Sequence, residues 1–402
     1  MAQDQQKNSL VRIHGFLLGD LTVRTNDKRP AMSEAGKWML REGRLRLDVS
    51  GASDSGKAYF QGKGDALYDS IGKKLRGDLR EGYAGYSAGK LDVRGGRQII
   101  TWGVGDLLFI NDVFPKDWES FFSGRPMEYL KLGIDGLDVR YSGTQLGVEF
   151  VAIPSFTPDK LPSAATFVLF NPFSSVPHQN EEKPADHAEI ALRVHRKLRE
   201  ADVSLYAYRG HWRTPGIRPD NFVSPSSVTR FYPKLAVFGA SAQKASLGGV
   251  ISLEAGYYDS RQDRRGNDPT VPNSQWRVLT AYQRELSPDF TVAVQTYGEF
   301  MSKYAAYRNT HMHGSPAEDH VRGVASVRVT RFFGYQTWKL SLFAGYGITA
   351  SDYLLQPEVS RKVSDRFSIS IGGNALGGGN ETAFFGQFKD NDNFFVRARY
   401  DF

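Results

Sequence analysis

Basic side chains occupy every second position of many short stretches, and they are the residues of this sequence best suited to chemistry. Arg44 and Arg46, for example, alternate with Leu45 and Leu47. A guanidinium can hold a carboxylate or phosphate through two parallel hydrogen bonds, so rows of such groups could bind anions and pass them on. The candidates for this path are Arg12, Arg44, Arg46, Arg193, Lys197, Arg322, Arg328, Lys339, Arg397 and Arg399.

A smaller number of acidic side chains shares the same polar rows. They are Glu42, Asp48, Asp65, Glu189, Glu254, Glu299 and Asp401. Two interpretations stay open, and they are compatible. The basic excess could attract anions, or the charges could pair across neighbouring segments and simply hold an interior open.

Other site chemistries have weaker support. The chain has no cysteine, which excludes disulfides and thiolate sites. His311, His313 and His320 could bind a metal, but histidines in a solvated loop are more common. Residues 390–393 (Asp-Asn-Asp-Asn) lack the glycine and distal glutamate of an EF-hand loop. His211 has no serine nucleophile nearby in sequence. We therefore predict no enzyme, no metal site and no cofactor.

The charge balance also limits the partners. The 51 Lys and Arg residues against 44 Asp and Glu give a net charge of +7. This modest excess suits anions but does not by itself indicate nucleic acid. No glycine pattern of a nucleotide-binding loop lies between a strand and a helix, so the sequence predicts neither nucleotide nor nucleic acid as a partner.

Strict alternation of apolar and polar residues runs from end to end and must position these charges. In the first segment Val11, Ile13 and Leu17 share one face, and Arg12 and His14 share the other. Successive side chains of a strand point to opposite sides, so each segment predicts a strand with one apolar and one polar face. No stretch approaches the ~20 apolar residues of a membrane helix.

Connection lengths and strand lengths separate a membrane barrel from a soluble sandwich. Short turns near 51–56, 88–90, 142–144, 199–201, 245–248, 286–288, 333–335 and 363–366 alternate with mostly longer segments at 25–37, 69–77, 103–128, 156–186, 213–232, 261–274, 303–318 and 377–393. Many strands reach the ~9–11 residues that cross a bilayer. We predict an all-β fold: one transmembrane antiparallel β-barrel over 1–402, with about 18 strands, short periplasmic turns and long outer loops, in the outer membrane of a bacterium and in contact with its lipid. The strands around 79–87, 130–141 and 201–212 have ambiguous faces.

Both chain ends fit this interpretation. The last strand ends on Phe402, with Phe394, Val396 and Tyr400 on the same face. This ending resembles the signal by which outer-membrane proteins engage the barrel-assembly machinery, which is therefore an expected partner. The N-terminal sequence, residues 1–10, is interpreted as a mature N-terminus with an added start Met. Aromatic residues near strand ends predict interfacial girdles: Trp102, Tyr257, Tyr258, Trp338 and Phe394.

The segment 103–128 is too apolar for a free outer loop. We predict that it folds inward as a constriction, with the candidate residues Asp106, Phe109, Asp112, Trp118 and Arg125. The alternative is a loop that packs over the barrel mouth without a gating role. The long, proline-rich segment 156–186 could form a second lid.

A short motif carries a resemblance to a known family. Gly96-Arg97-Gln98, followed by Trp102-Gly103 and Asp106, resembles porin-like proteins of the alginate-export type. The resemblance implies an outer-membrane barrel whose electropositive lumen passes an anionic, uronate-type polysaccharide, and it adds Arg97 to the path. The expected function is thus a channel for anionic solutes. The alternative is a sheath around a periplasmic or barrel-inserted partner protein, such as a multihaem cytochrome of an electron conduit.

Overall fold

The alternation of apolar and polar residues becomes an alternation of outward and inward side chains in the computed structural model. The structure describes residues 11–402 except 27–34, 170–172, 174–175, 312–316 and 380–382. Its strands are β1 Val11–Arg24, β2 Trp38–Ala52, β3 Ala58–Asp69, β4 Lys74–Ala88, β5 Leu91–Gln98, β6 Ile134–Ser142, β7 Gly147–Ile153, β8 His178–Glu182, β9 Glu189–Leu198, β10 Ala201–His211, β11 Gly216–Pro219, β12 Ser227–Phe231, β13 Lys234–Ser246, β14 Gly249–Ser260, β15 Gln275–Ser287, β16 Phe290–Met301, β17 Val321–Phe333, β18 Trp338–Gly347, β19 Asp352–Lys362, β20 Phe367–Gly377 and β21 Asn393–Asp401.

Eighteen of these strands form one closed antiparallel barrel, which confirms the predicted fold and strand number. Each barrel strand pairs with the next barrel strand along the chain, and β1 closes the ring by pairing with both β2 and β21. The backbone N–H of Phe402 donates to Gly15 O at 2.9 Å and extends this closing seam. Closure gives every barrel strand two neighbours, so no strand edge is left for lipid to meet.

The connections differ in length between the two ends of the barrel. At one end, here the turn end, they cover residues 53–57, 89–90, 143–146, 199–200, 247–248, 288–289, 334–337 and 363–366. At the other, the loop end, they cover 25–37, 70–73, 99–133, 154–188, 212–233, 261–274, 302–320, 348–351 and 378–392. The loop expected at 69–77 is therefore much shorter than predicted. The four-residue connection at 348–351 was not predicted.

The outer wall is apolar and the inner wall is largely polar. In β1, Leu17 and Leu21 are exposed on the outside, whereas Asp20 and Thr22 are buried on the inside. On the outside, Tyr257 contacts Trp276 and Phe333 stacks on Trp338, with ring centroids 4.8 and 5.8 Å apart. These aromatic pairs near strand ends fit girdles at the two membrane interfaces.

The remaining elements belong to the loop end. Strands β8, β11 and β12 form a separate three-stranded sheet. The helices are α1 Trp118–Ser123 and α2 Tyr304–Thr310, and two 3₁₀ turns cover Met127–Tyr129 and Gly386–Phe388. Among the described residues, no helix is long and apolar enough to cross a membrane.

Candidate functional site

The connection between β5 and β6, residues 99–133, enters the barrel and crosses its interior; it is called the central loop below. Its first anchor is Glu254, an inward carboxylate in the middle of β14. Glu254 accepts hydrogen bonds from the backbone N–H groups of Val104 (2.8 Å), Gly105 (3.1 Å) and Asn111 (2.8 Å), and from the Asn111 side chain (2.9 Å). One wall carboxylate thus satisfies four loop donors.

Two neighbouring strands extend this anchor. Asp106 N donates to Gln295 of β16 at 3.0 Å, and Asp106 forms a bidentate ion pair with Arg328 of β17, one arm of which measures 3.0 Å. The Tyr258 hydroxyl of β14 donates to Ile110 O. The first half of the central loop is therefore fixed to β14, β16 and β17, which lie far from its own strands around the ring.

The second half of the central loop reaches the strands on both sides of the closing seam. Arg125 forms a bidentate ion pair with Glu42 of β2, with Nε 2.9 Å from Oε2. The carbonyl of Phe122 accepts from Asn374 of β20 at 3.2 Å and from Asn393 of β21 at 3.3 Å. Because its contacts are distributed around most of the ring, the central loop spans the lumen instead of lining one wall.

Glu128, near the end of the loop, lies between two wall arginines. Its carboxylate is 3.4 Å from Arg46 of β2 and 3.2 Å from Arg399 of β21. Arg80 of β4 donates to the Glu128 and Lys131 carbonyls at 2.7 and 3.0 Å. The exit of the loop is thus held by three arginines of the wall.

Apolar packing adds to these polar contacts of the central loop. The rings of Phe121 and Phe122 in α1 are buried, and Phe122 lies 4.0 Å from Phe388 between centroids. Phe388 in turn contacts Phe167, so the connections 154–188 and 378–392 pack on the same cluster. Trp118 donates to Asp159 at 2.9 Å and contacts Phe121. The structure therefore shows a packed apolar core inside the barrel, with a polar wall around it.

The buried Asp112 carboxylate, bound by buried Lys116 and half-buried Lys131, lies in the middle of the central loop. The Lys116 ammonium donates to Asp112 Oδ1 at 3.0 Å and to Phe114 O at 2.6 Å, and Lys131 donates to the other Asp112 oxygen at 2.7 Å. Lys116 also lies over the Phe109 ring, 4.6 Å from its centroid. Burial lowers the pKa of Lys116 below its ordinary value, and the charge of Asp112 opposes that shift.

Substituting Asp112 should loosen this part of the loop. In D112N, Lys116 loses its buried counter-charge, and removing one partner of a buried pair typically costs about 3–5 kcal/mol. We expect the central loop to become more sensitive to limited proteolysis at pH 7. A lysine with a lowered pKa favours the packed loop only when neutral, so protection should return as the pH rises toward the ordinary value of 10.5.

The control for this experiment is K131Q, which leaves the Lys116–Asp112 pair in place and should stay near wild type. If D112N and K131Q were cleaved equally at every pH, the buried pair would not be what secures the loop.

The predicted path residues divide by how they are paired. Arg44 and Arg46 bind Asp65, whose side chain is fully buried, and Arg397 binds Glu358 at 2.7 Å. Arg322 lies 3.4 Å from Glu299, and Arg193 lies 3.7 Å from Glu149. Three further path residues lie on the inner face near the turn end, as the registers of their strands show: Arg12, Lys197 and Lys339. Much of the basic excess is thus neutralised by wall carboxylates, as the second interpretation proposed.

Arg97 is an exception, and its predicted place on the path is wrong. It pairs in register with Asp135, whereas its neighbours Gly96 and Gln98 lie on the inward face and pair with Gly136 and Ile134. Arg97 forms a bidentate ion pair with Asp135 at 2.9 and 2.6 Å on the outer side. The positive φ of Gly96 (128°) allows its backbone to approach β4 at this point.

Two predicted girdle aromatics are also wrong, because they point inward. Trp102 is buried, donates to Glu149 at 2.9 Å and packs on Phe114. Tyr258 is buried against Ile110. An aromatic side chain near a strand end suits either a lipid interface or an apolar interior, and the sequence pattern alone did not separate the two.

Several contact residues were not predicted. Gln295 and Arg80 of the wall hold the central loop, and Tyr129 of the loop accepts a hydrogen bond from Arg46. Arg213 of the connection 212–233 donates to the Val113 and Thr157 carbonyls, both at 2.9 Å. For Gln295, the sequence did offer a signal: it is a polar residue on the inward face, next to other inward polar residues. No sequence signal pointed to Arg213, which lies outside the strands.

The histidines give no metal centre in the part of the chain that the structure describes, where no group of three or more His, Asp or Glu side chains could hold an ion. His313 lies outside the described residues. His320 stacks on Tyr304, with ring centroids 4.9 Å apart.

Comparisons with known proteins agree with this architecture. The chain resembles OccAB3 of Acinetobacter baumannii, with 9% identity and a TM-score of 0.60, and OccK10 (OpdN) of Pseudomonas aeruginosa, with 11% identity and a TM-score of 0.54. Each alignment covers 98% of this chain and 99% of the other. At this identity the likeness shows the fold alone, a porin-like barrel of the bacterial outer membrane.

No curated protein matches the chain. A family model, described as "Protein of unknown function (DUF1302)", matches residues 48–402. The chain therefore belongs to the DUF1302 family.

Proposed function

We propose that this barrel is an outer-membrane channel for anionic solutes and that the central loop is its constriction. One observation carries the proposal: the loop places its own carboxylates on arginines of the wall. Asp106 binds Arg328, and Glu128 lies between Arg46 and Arg399. The wall arginines thus offer sites for a carboxylate, which is the recognition that an anionic solute needs.

These contacts differ from the structural pairs elsewhere in the wall. The Asp65 side chain, held by Arg44 and Arg46, is fully buried, whereas Asp106 and Glu128 are 41% and 39% exposed. An exposed ion pair contributes little net stability and exchanges partners readily. A solute carboxylate can therefore compete with Asp106 for Arg328, or with Glu128 for Arg399, without breaking the wall itself.

The size of the solute follows from the same packing. A uronate-type polysaccharide, which the resemblance to alginate-export porins implies, needs a continuous opening, so the aromatic core around Phe122 and Phe388 has to separate. Small carboxylates need a smaller displacement near Asp106. A channel for small anionic solutes requires only the smaller displacement, whereas a channel for uronate polymers requires the larger one.

The sheath alternative finds no supporting observation. A partner protein inside the barrel would need the space that the central loop and the connections 154–188 and 378–392 occupy. The packed interior therefore favours a channel over a sheath.

Single-channel recording in a planar bilayer under a salt gradient tests this proposal. We expect a reversal potential that favours anions and a conductance that oligouronates block in a concentration-dependent way. R328Q should reduce both the anion preference and the block, because it removes a wall site. R97Q, which removes an outward arginine, is the matched control and should change neither.

Cation preference in the wild type would overturn the proposed function. Anion preference without block by oligouronates would remove the uronate part and leave small anions.

A further inference from the structure

We propose that the turn end of the lumen carries a separate binding site for an oxyanion, built on the inward face of β9. A cavity of about 590 Å³ opens there, bounded by the connection 143–146 and by β7, β9, β10 and β13. The inference rests on the proposed function, because it names the place where an anionic solute is held at this end of the channel.

Three basic side chains of one strand share this cavity. Arg193, His195 and Lys197 alternate along β9, so they project to the same face with a spacing of about 6.6 Å between successive members. Such a row can contact several oxygens of one anion, or successive acidic groups of a short polymer. Arg196 also borders the cavity, whereas Asp202 is the one carboxylate among the residues that line it.

The pairing of these groups leaves them available. Arg193 is 3.7 Å from Glu149, and that carboxylate also binds Arg140 at 3.0 Å and accepts from Trp102 at 2.9 Å. The Arg193 side chain is 30% exposed, although its Nε is buried and hydrogen-bonds no described group. Lys197 pairs in register with Asp202 but forms no ion pair with any described residue. This differs from Arg46, whose guanidinium is bound by the buried Asp65.

Neutral hydrogen-bonding groups continue the same wall on the neighbouring strands, where Ser204 pairs in register with His195. Ser204 of β10 and Gln243 of β13 line the cavity, and Gln243 is oriented by a 2.9 Å hydrogen bond to Ser252. The His195 ring lies over Gly147, which pairs with it in register. A Cβ at position 147 would lie 2.1 Å from His195 Nε2, so the ring depends on the absence of a side chain there.

Equilibrium binding to the folded protein in detergent tests the site directly, by calorimetry with trigalacturonate and with inorganic phosphate as probes. We expect wild type to bind at least one probe, and R193Q/K197Q to bind it at least about tenfold more weakly, since each lost charge-assisted contact typically removes about that much affinity. K244Q is the matched control, because Lys244 lies at the turn end but outside the cavity and pairs with Glu200 at 3.0 Å. G147A should also weaken binding, since it displaces His195 without removing a charge.

The outcomes separate the two proposals. Unchanged affinity in R193Q/K197Q, for a variant that migrates as a folded barrel in unheated gels, would overturn the site even if the channel is anion-selective. Binding that the double variant loses, in a channel that prefers cations, would support the site and overturn the proposed function. Binding of phosphate alone would keep the oxyanion site and exclude the uronate as its ligand.

Discussion

A barrel that lacks residues 103–128 should conduct ions far better than the intact protein. The walls of an 18-stranded barrel enclose an aqueous lumen unless loops fill it, and this segment supplies much of the packed core that fills it here. We would replace the segment with a short glycine–serine linker and compare single-channel conductance in planar bilayers. The expected change is a several-fold or larger rise, accompanied by weaker anion selectivity because the channel is wider.

A deletion at the tip between β11 and β12 provides the control. Residues 221–224 include Phe222 and Val223, both exposed, and Asn221 accepts hydrogen bonds from the backbone of Val223 and Ser224 within the tip itself. Their removal should leave the conductance unchanged. Equal conductance in the intact protein and the 103–128 deletion would mean that the other two packed connections close the lumen by themselves.

The second large effect is expected at Glu254. In E254L the loop N–H groups of Val104, Gly105 and Asn111 lose their acceptor while they remain enclosed, and each unsatisfied buried donor costs about 1–3 kcal/mol. The loop also approaches Glu254 closely at Gly103, whose φ is +77°. A Cβ there would lie 2.6 Å from the Glu254 carboxylate. We expect the loop to leave the wall, with more frequent open events and faster proteolysis within 103–112.

Two further variants show whether the effect is specific. E254Q keeps one acceptor oxygen and should be intermediate. E299L removes another inward carboxylate, but Glu299 binds Arg277 and Arg322 of the neighbouring strands, so this variant should destabilise the wall without opening the loop. If E299L and E254L raised the conductance alike, general damage to the barrel would explain both.

The barrel itself was predictable because the pattern that specifies each strand lies within that strand's own sequence. Each strand needs an apolar outer face, so alternation in the sequence reports the fold strand by strand. The ambiguous strands have physical reasons. The β3–β4 pairing shifts register between Lys63 and Gly64, which displaces the alternation around Arg80. In β10 the inward positions include Tyr206 and Tyr208, because the interior that they face is apolar.

The site was predictable only in part, because its contacts join distant positions. The composition of 103–128 indicated an inward loop, but nothing in the sequence links Asn111 to Glu254, 143 positions away. The difference between Arg97 on the outer face and Arg94 on the inner face depends on where β5 begins and ends. A single residue of strand register reverses every side chain, and the sequence alone does not fix that register in a short strand.

The central loop also has a consequence for the order in which the barrel is assembled. Its contacts with Glu42 of β2 and with Asn393 of β21 lie on opposite sides of the seam where the first and last strands meet. They can form together only after those strands have paired. The loop therefore links the two sides of the seam from inside the barrel. These contacts form after the strands have paired, and they then resist lateral separation of the seam. The E42Q variant, which weakens the ion pair with Arg125, should still insert. Its first and last strands should separate at lower force when the chain ends are pulled apart.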